Sequence, residues 1–225
     1  MTMGLGLRDV VVRSARGRVL LDAPQLDITA GALVGITGPS GAGKTTLLHV
    51  LAGLMRSTGQ VSWAGQDLAQ MSESHRATFR AQHMGMVFQD FLLFDALSAF
   101  DNARLSSLFV SKDTRSGIAK EAETLLARFG LQDTGRSVAS LSGGERQRVA
   151  VARALAANPA VVLADEPTAA LDRAAADRLI GDLVSSCRSA GRTLVVVSHD
   201  TALLDEMDRV IRVDGGQIVA QETTA

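Results

Sequence analysis

The sequence is poor in cysteine and in aromatic residues. Cys187 is the only cysteine among 225 residues, tyrosine is absent, and Trp63 is the single tryptophan. One cysteine excludes an internal disulfide and is typical of a reducing compartment. Because Cys187 falls in a predicted helix over 174–189, a packed thiol is favoured over a reactive one. The lone tryptophan lies in a short predicted hairpin and is likewise expected in the core.

Long hydrophobic runs are missing as well. Apolar stretches such as 161–164 and 194–197 are short, whereas a membrane-spanning helix needs about 20 predominantly apolar residues. The first residues do not show the charged segment followed by an apolar segment that is typical of a signal peptide. Any role at a membrane is therefore expected to come through a partner.

The charges show no excess of either sign. Lysine and arginine (23) nearly balance aspartate and glutamate (24), for a net charge of −1. Proteins that bind nucleic acid usually carry a basic excess, so nucleic acid is not an expected partner. The length fits one large domain, or a domain with a subdomain, and permits a sizeable core.

Apolar β-type runs alternate with helical patterns, which predicts an α/β fold with a mostly parallel sheet covered on both faces. Residues from about 90 to 140 lack strand patterning and are predicted to be helical. The predicted strands are 5–12, 19–28, 33–36, 161–164 and 193–197, the predicted helices are 45–54, 120–129, 174–189 and 201–207, and a hairpin is predicted over 210–219.

A glycine-rich loop separates the predicted strand 33–36 from the helix that follows. It fits the phosphate-loop pattern G-x-x-x-x-G-K-[ST], with Gly38, Pro39, Ser40, Gly41, Ala42, Gly43, Lys44 and Thr45, and Thr46 comes next. Glycines let the backbone turn its N–H groups toward phosphate oxygens, and the helix N-terminus adds a positive dipole end. Lys44 is expected to reach the β- and γ-phosphates, and the Thr45 hydroxyl to bind Mg²⁺. By itself, the loop could belong to a kinase, a GTPase or a motor protein.

Polar residues follow two of the predicted buried strands. Asp165 and Glu166 end the strand at 161–164, and His199 follows the strand at 193–197. In parallel α/β sheets ligands bind at the carboxyl ends of the strands. Asp165 is suited to hold Mg²⁺, and Glu166 to orient or deprotonate a water molecule. Taken singly, each of these residues also fits a purely structural role.

Leu141-Ser142-Gly143-Gly144-Glu145 is the most informative segment. A serine hydroxyl, two glycine N–H groups and a helix N-terminus make a second anion site. Together with the other motifs, in this order, the segment resembles the signature motif of ATP-binding cassette (ABC) ATPases, and the resemblance runs from about residue 5 to 219. The family pattern implies a P-loop NTPase fold with a mostly parallel sheet core, an N-terminal antiparallel β subdomain and an inserted helical subdomain.

The resemblance also implies roles for individual residues. His199 matches the switch histidine that contacts the γ-phosphate, and Gln89 matches the glutamine that touches Mg²⁺ and the attacking water. Asp172 matches an aspartate of the stretch that couples the two halves of a dimer. In this family the signature of one protomer covers the ATP held by the other, so two cassettes, as a homodimer, are expected to close over two Mg-ATP.

The resemblance predicts one ABC ATPase domain over 1–225. Its catalytic core and β subdomain comprise 1–88 and 143–225, and 89–142 form the helical signature subdomain. Phe91-Leu92-Leu93-Phe94 lies where family members receive a coupling helix of the membrane partner, although a place in the subdomain core is an equal alternative.

The expected function is ATP binding and hydrolysis that energise a separate integral membrane permease. The chain would then lie peripherally at the cytoplasmic face of the plasma membrane and would resemble small cassettes of the lipoprotein-releasing and macrolide-export type. A membrane mechanotransmission complex without transport is the alternative, and a cassette acting on DNA or ribosomes is disfavoured by the charge balance. Neither the substrate nor the direction of transport follows from the sequence.

One position departs from the family pattern. Most cassettes stack the adenine on an aromatic residue about two dozen positions before the phosphate loop, and Ala15 stands there. Arg13, Arg16 or Arg18 could stack a guanidinium on the base instead. We therefore expect loose base discrimination, with comparable affinities for ATP and GTP.

Overall fold

The computed structural model describes residues 2–223. Its strands are β1 (Leu5–Arg13), β2 (Val19–Ile28), β3 (Leu33–Thr37), β4 (Gln60–Trp63), β5 (Gln66–Asp67), β6 (Met84–Val87), β7 (Val161–Asp165), β8 (Thr193–Val197), β9 (Arg209–Asp214) and β10 (Gln217–Thr223). Its α-helices are α1 (Lys44–Leu51), α2 (Glu73–His83), α3 (Ala99–Ala103), α4 (Lys112–Arg128), α5 (Gly143–Ala156), α6 (Arg173–Ser189) and α7 (Thr201–Asp205). Short 3-10 helices cover Leu68–Gln70, Leu105–Phe109 and Val138–Ser140.

The strands form one mixed sheet in the order β5-β4-β1-β2-β10-β9-β3-β8-β7-β6. From β9 to β6 the neighbouring strands are parallel. Every residue of β7 and β8 is buried, as expected for central parallel strands with both faces covered. Alternate residues of β7 enter two different apolar clusters: Val162 and Ala164 face α4, α5 and α6, while Val161 and Leu163 face α1 and the N-terminal strands.

The N-terminal strands form the predicted antiparallel layer. β1 pairs antiparallel with both β2 and β4, and β4 forms a short hairpin with β5. Trp63 is fully buried there, and its indole Nε1–H donates to the carbonyl of Leu51 at 2.8 Å. The predicted core position of Trp63 is confirmed, and so is that of Cys187, which is buried in α6.

Residues 89–142, all of which are described, are helical apart from loops and one isolated bridge between Ser98 and Ser137. Helix α4 begins at Lys112, eight residues before the predicted start, because its first turns expose polar residues and give no apolar periodicity. Helix α2 was not predicted at all. It is mostly polar and buries only Phe79, so it offers no apolar stripe of several residues that would mark a helix in the sequence.

Three further predicted ends differ from the structure. Helix α1 ends at Leu51 rather than at 54, because Gly53 adopts a φ of 63° and turns the chain away. Leu54, the last residue of the predicted helix, consequently lies outside α1 and is 44% exposed. Helix α7 ends at Asp205 instead of 207, and the hairpin strand β10 extends to Thr223 rather than 219.

Candidate active site

The phosphate loop spans the turn from β3 to α1 and packs tightly against two other strands. Gly38 has a φ of 146°, and a Cβ atom there would collide with the main-chain carbonyl of Val213. Gly43 has a φ of 102°, and a Cβ atom would lie 3.0 Å from the carbonyl oxygen of Leu20. Only glycine fits these conformations and contacts, which explains why both ends of the loop carry it.

The Lys44 side chain folds back into the loop. Its Nζ donates to the carbonyl oxygens of Gly38 at 2.8 Å and Pro39 at 2.9 Å, and the residue is buried. Ser40 and Thr45 are exposed, and Thr46 is partly so. A positive ammonium group held within a turn at a helix N-terminus forms a site for a multiply charged anion such as a triphosphate.

The two predicted acids lie at the carboxyl edge of the sheet. Asp165 ends β7 opposite Val197 of β8 and is only 3% exposed. The next residue, Glu166, has a φ of 48°, and its N–H donates to the carbonyl of Val197 at 2.9 Å. A positive φ is uncommon for a residue other than glycine and is often found at functional sites.

Glu166 and His199 contact each other across this edge. Oε1 of Glu166 lies 3.6 Å from Nε2 of His199, and Oε2 accepts a hydrogen bond from the backbone N–H of His199 at 3.4 Å. Burial raises the pKa of Glu166, while His199 and Lys44 partly offset that rise and the nearby Asp165 adds to it. The structure therefore brings together four of the predicted residues: Lys44, Asp165, Glu166 and His199.

The predicted signature residues begin helix α5. Ser142 is its N-cap: the hydroxyl oxygen accepts from the N–H of Glu145 at 3.2 Å, and the Ser142 N–H donates to Glu145 Oε2 at 2.8 Å. The backbone N–H of Ser142 is the main cause of the lowered pKa of Glu145. Ser142 and Gly143 are exposed and Gly144 is partly buried, so a free helix end faces outward.

The signature and the phosphate loop remain separate within this chain. Across residues 2–223, no hydrogen bond or ion pair joins Ser142, Gly143 or Gly144 to residues 38–46. Gly144 instead packs against the loop before α6, where a Cβ atom would lie 3.0 Å from Cδ2 of Leu171. The two anion sites are therefore separate within the described residues.

The remaining predicted residues lie in turns or at the start of a helix. Gln89 is exposed in the turn after β6, the neighbour of β7 in the sheet. Asp172 caps α6, since its Oδ1 accepts from the N–H of Ala175 at 2.8 Å. Ala15 is exposed in the turn between β1 and β2, and Arg13 Nη1 donates to the carbonyl of Gly17 at 3.2 Å.

Two arginines near the site carried no predicted role. Arg173 Nη1 lies 2.9 Å from Oδ1 of Asp200, the residue after His199. Arg153 of α5 donates to main-chain carbonyls just after Gln89. Both contacts join segments far apart in sequence and follow no motif spacing. The alternating charges of Arg173 and Asp177 were the one available signal, and they indicate only a solvated helix face.

A family model described as ABC transporter matches residues 21–169, more than half of the chain. The chain belongs to the ABC transporter family. The resemblance drawn from its motifs is thereby confirmed.

Several relatives of this family member are similar over most of its length. The lipoprotein-releasing system ATP-binding protein LolD of Chromohalobacter salexigens is 40% identical over 215 residues, covering 95% of the chain and 90% of LolD. The uncharacterized ABC transporter ATP-binding protein YbbA of Escherichia coli K12 is 43% identical over 204 residues, covering 88% of each. The macrolide export ATP-binding/permease protein MacB of Bradyrhizobium diazoefficiens is 40% identical over 201 residues, which are 88% of the chain but 30% of MacB.

Solved structures agree with the predicted fold. A dimeric structure of MJ0796, described as a bacterial ABC transporter cassette, superposes with a TM-score of 0.91 at 32% identity and covers 98% of the chain and 99% of MJ0796. A post-hydrolysis MJ0796 dimer bound to ADP and phosphate gives a TM-score of 0.90. The α/β P-loop NTPase fold is confirmed, and the chain is an ATP-binding cassette with ATPase activity.

The edge of the sheet also suits a divalent cation. Oδ1 of Asp165 is buried without a hydrogen-bond partner, although a buried carboxylate oxygen normally has one. Exposed Thr45 supplies a hydroxyl and exposed Gln89 a carbonyl oxygen, and Mg²⁺ prefers oxygen ligands. The donor set therefore fits Mg²⁺ bound together with nucleotide phosphates.

Proposed function

We propose that this cassette works in pairs and energises a separate membrane permease through ATP-driven closure of the pair. The observation that carries the proposal is the separation of Lys44 from Ser142, because each site alone offers only part of what a triphosphate needs. In a head-to-tail pair, the signature segment of each copy completes the phosphate site of the other, so the pair contains two complete sites. The dimeric assembly described for MJ0796 supports this arrangement.

In the proposed reaction a water oxygen attacks the γ-phosphorus while the bond between that phosphorus and the β–γ bridging oxygen breaks. The carboxylate of Glu166 accepts the proton of the water, and ADP and phosphate are released. The γ-phosphoryl group is positioned and its charge neutralised by Lys44, Gln89 and His199 of one subunit. Ser142 and Gly144 of the partner subunit complete the site. Positioning and charge neutralisation are most of what phosphoryl transfer requires.

Thr45, Asp165 and Gln89 are the proposed Mg²⁺ ligands. Bound there, Mg²⁺ would neutralise charge on the phosphate oxygens. The unpaired Oδ1 of Asp165 supports this assignment. The backbone N–H groups of the non-proline loop residues are proposed to hold the phosphates, namely Gly38, Ser40, Gly41, Ala42, Gly43 and Thr46. Pro39 has no N–H and is proposed to line the phosphate site. Gly143 is proposed to add a backbone N–H from the partner subunit.

We also propose two functional parts within the domain. Residues 1–88 and 143–225 form the catalytic core with its β subdomain, and residues 89–142 form the helical signature subdomain. The helices α3 and α4 fall within 89–142 and the parallel strands outside it, which supports this division.

The proposed permease contact is an apolar groove of about 400 Å³ beside Gln89. Its lining includes Leu54, Phe88, Leu92, Phe94 and Phe109. Leu92 and Phe94 are each 56% exposed and Phe109 is 76% exposed, whereas Phe91 and Leu93 pack against the core. Two residues of the apolar run 91–94 therefore pack against the core and two line the groove. The groove suits a short permease helix with an apolar face.

Association with a permease accounts for a membrane location. Within residues 2–223, no helix is long and apolar enough to cross a bilayer. Bound to a permease, the cassette is proposed to lie peripherally at the cytoplasmic face. The names of LolD and MacB refer to lipoprotein release and macrolide export, which favours transport over mechanotransmission. We place this cassette in that functional type, with the cargo selected by the permease.

Purification from detergent-solubilised membranes tests this proposal. The chain should co-purify with an integral membrane protein, and that complex should hydrolyse ATP. A Leu92→Asp/Phe94→Asp variant is the matched control, since it leaves the nucleotide site intact and charges the groove. Recovery of the wild-type chain without any membrane protein would contradict the permease assignment. Equal recovery of the membrane protein by both forms would contradict the groove as its contact.

A further inference from the structure

The loop that follows Gln89 is held in an unusual conformation. Phe91 and Leu92 have φ angles of 60° and 46°. Left-handed backbone is disfavoured for bulky L-residues, and two such residues in succession require support from their surroundings. Local hydrogen bonds supply part of it, from Phe91 N–H to the carbonyl of Phe88 at 3.0 Å and from Leu92 N–H to that of Asp90 at 2.6 Å.

Arg153 supplies the remaining support from another element. One guanidinium nitrogen, Nη2, donates to the carbonyl of Phe91 at 2.7 Å, and Nη1 donates to the carbonyl of Leu92. Both hydrogen bonds go to the main chain of the two left-handed residues. The side chain is partly buried, and this burial lowers the pKa of Arg153. A partly buried cation held by two carbonyls is costly to move, because the guanidinium and both carbonyls would lose their hydrogen bonds.

The position of Arg153 joins three functional features. It lies on α5, eleven residues after Ser142, or about three helical turns along the same face. Its side chain lines the apolar groove together with Leu92 and Phe94. Gln89 precedes Leu92 by only three residues. One side chain on the signature helix thus contacts the loop that carries both Gln89 and the groove.

We propose that Arg153 is a positioning residue that fixes the loop after Gln89 and links its conformation to the signature helix α5. An occupant of the groove that moves Leu92 would shift α5 through Arg153 and Gln89 through the chain. The identity of that occupant rests on the proposed function. The contact of Arg153 with the loop does not depend on the proposed function, and it can be tested in the isolated chain.

Amide hydrogen exchange of the full chain measures this hold directly. In Arg153→Met, which keeps the length and apolar stem of the side chain, amides of residues 88–94 should exchange at least ~10-fold faster. Arg153→Lys should fall between Met and wild type, because it retains a single cation without the fork geometry. Amides inside α5 should keep wild-type protection, which excludes general unfolding.

Arg146 offers a matched control on the same helix. Its guanidinium donates to the carbonyls of Val138 at 3.2 Å and Ala139 at 3.1 Å, so Arg146→Met also removes two contacts to main-chain carbonyls. It should loosen residues around 138–139 and leave 88–94 at the wild-type rate. Faster exchange over 88–94 in this control to the same degree would overturn a specific role for Arg153.

Kinetics give a second readout. The phosphate loop is untouched in Arg153→Met, so KM for ATP should remain within about 2-fold while kcat falls about 5-fold or more, as expected when a reacting group is misplaced. Adding Leu92→Asn, which tolerates the left-handed conformation, should recover part of kcat. Wild-type exchange over 88–94 in Arg153→Met would overturn the proposal. Failure of the chain to bind any permease would leave this result unaffected and count only against the proposed function.

Discussion

Oε1 of Glu166 and Nε2 of His199 lie 3.6 Å apart at the carboxyl edge of the sheet. The carboxylate proposed to accept a proton thus faces the imidazole proposed to contact the γ-phosphate. Burial raises the pKa of Glu166, and the charge on His199 opposes that rise. The ionisation of the proposed base and the presence of the switch histidine are therefore coupled.

This coupling predicts the pH dependence of ATP hydrolysis. A general base must be ionised to act, so activity should fall as pH decreases through the raised pKa of Glu166. The acid limb of kcat/KM, which reports groups of the free enzyme, should accordingly lie above 4.5, the ordinary value for glutamate. In His199→Ala, the residual activity should show an acid limb at still higher pH, because the opposing charge is gone. A pH profile of the wild-type and His199→Ala forms checks this. An acid limb of the variant at the same pH as that of the wild type, or at a lower pH, would contradict the coupling.

The phosphate loop makes different demands on its glycines. Gly38→Ala places a Cβ atom against the carbonyl of Val213, whereas Gly41, with a φ of 75°, faces open space. Gly41→Ala should therefore cost only the backbone strain, about 1–2 kcal/mol. Gly38→Ala adds a steric collision with the main chain and should cost about 3 kcal/mol or more. Denaturant unfolding of the two variants measures the difference, and equal losses of stability would show that the contact with β9 is unimportant.

Ala15 leads to a prediction about the nucleotide base. The exposed turn between β1 and β2 offers Arg16 and Arg18 but no aromatic ring, so ATP and GTP should bind with affinities within about 3-fold of each other. Ala15→Tyr should tighten nucleotide binding by about 5- to 100-fold, since stacking of a base on an aromatic ring contributes about 1–3 kcal/mol. Titration with both nucleotides checks this. A strong preference of the wild-type chain for ATP would show that another residue recognises adenine.

Arg173 and Asp200 predict a link between two loops. Arg173 begins α6 after Asp172, and its partner Asp200 follows His199. Burial opposes ionisation of Asp200, yet hydrogen bonds from Arg173 and Thr168 lower its pKa. Arg173→Met should free the segment that carries His199 and reduce kcat about 3- to 10-fold with little change in KM. Asp177→Asn is the control, because it removes the other, exposed partner of Arg173 at 2.6 Å; an equal loss of kcat in this control would contradict the link.

Much of the site was predictable from the sequence, for a physical reason. The carboxyl ends of parallel strands meet at one edge of a sheet, so residues that follow three predicted strands had to lie close together. Lys44, Asp165, Glu166 and His199 meet there as expected. Gln89 lies in the turn at the end of β6, and its role remains a prediction.

Other features left no trace in local sequence. The contacts of Arg153 with Phe91 and Leu92 span more than sixty residues, and no spacing rule relates them. The end of α1 depended on the left-handed conformation of Gly53, which a helical periodicity does not reveal. Helix α2 escaped prediction because it is mostly polar and buries only Phe79, although Ser72 caps its N-terminus.

The central claim is that one chain holds two half-sites and that only a pair of chains makes complete ones. Light scattering on Glu166→Gln in the presence of ATP tests it most directly, because the amide should block hydrolysis by ~10²-fold or more and preserve the bound triphosphate. The account predicts a monomer without nucleotide, a dimer with ATP, and a monomer again when Lys44→Met is added. A Glu166→Gln variant that remains monomeric at saturating ATP, or that hydrolyses ATP at the wild-type rate, would contradict it.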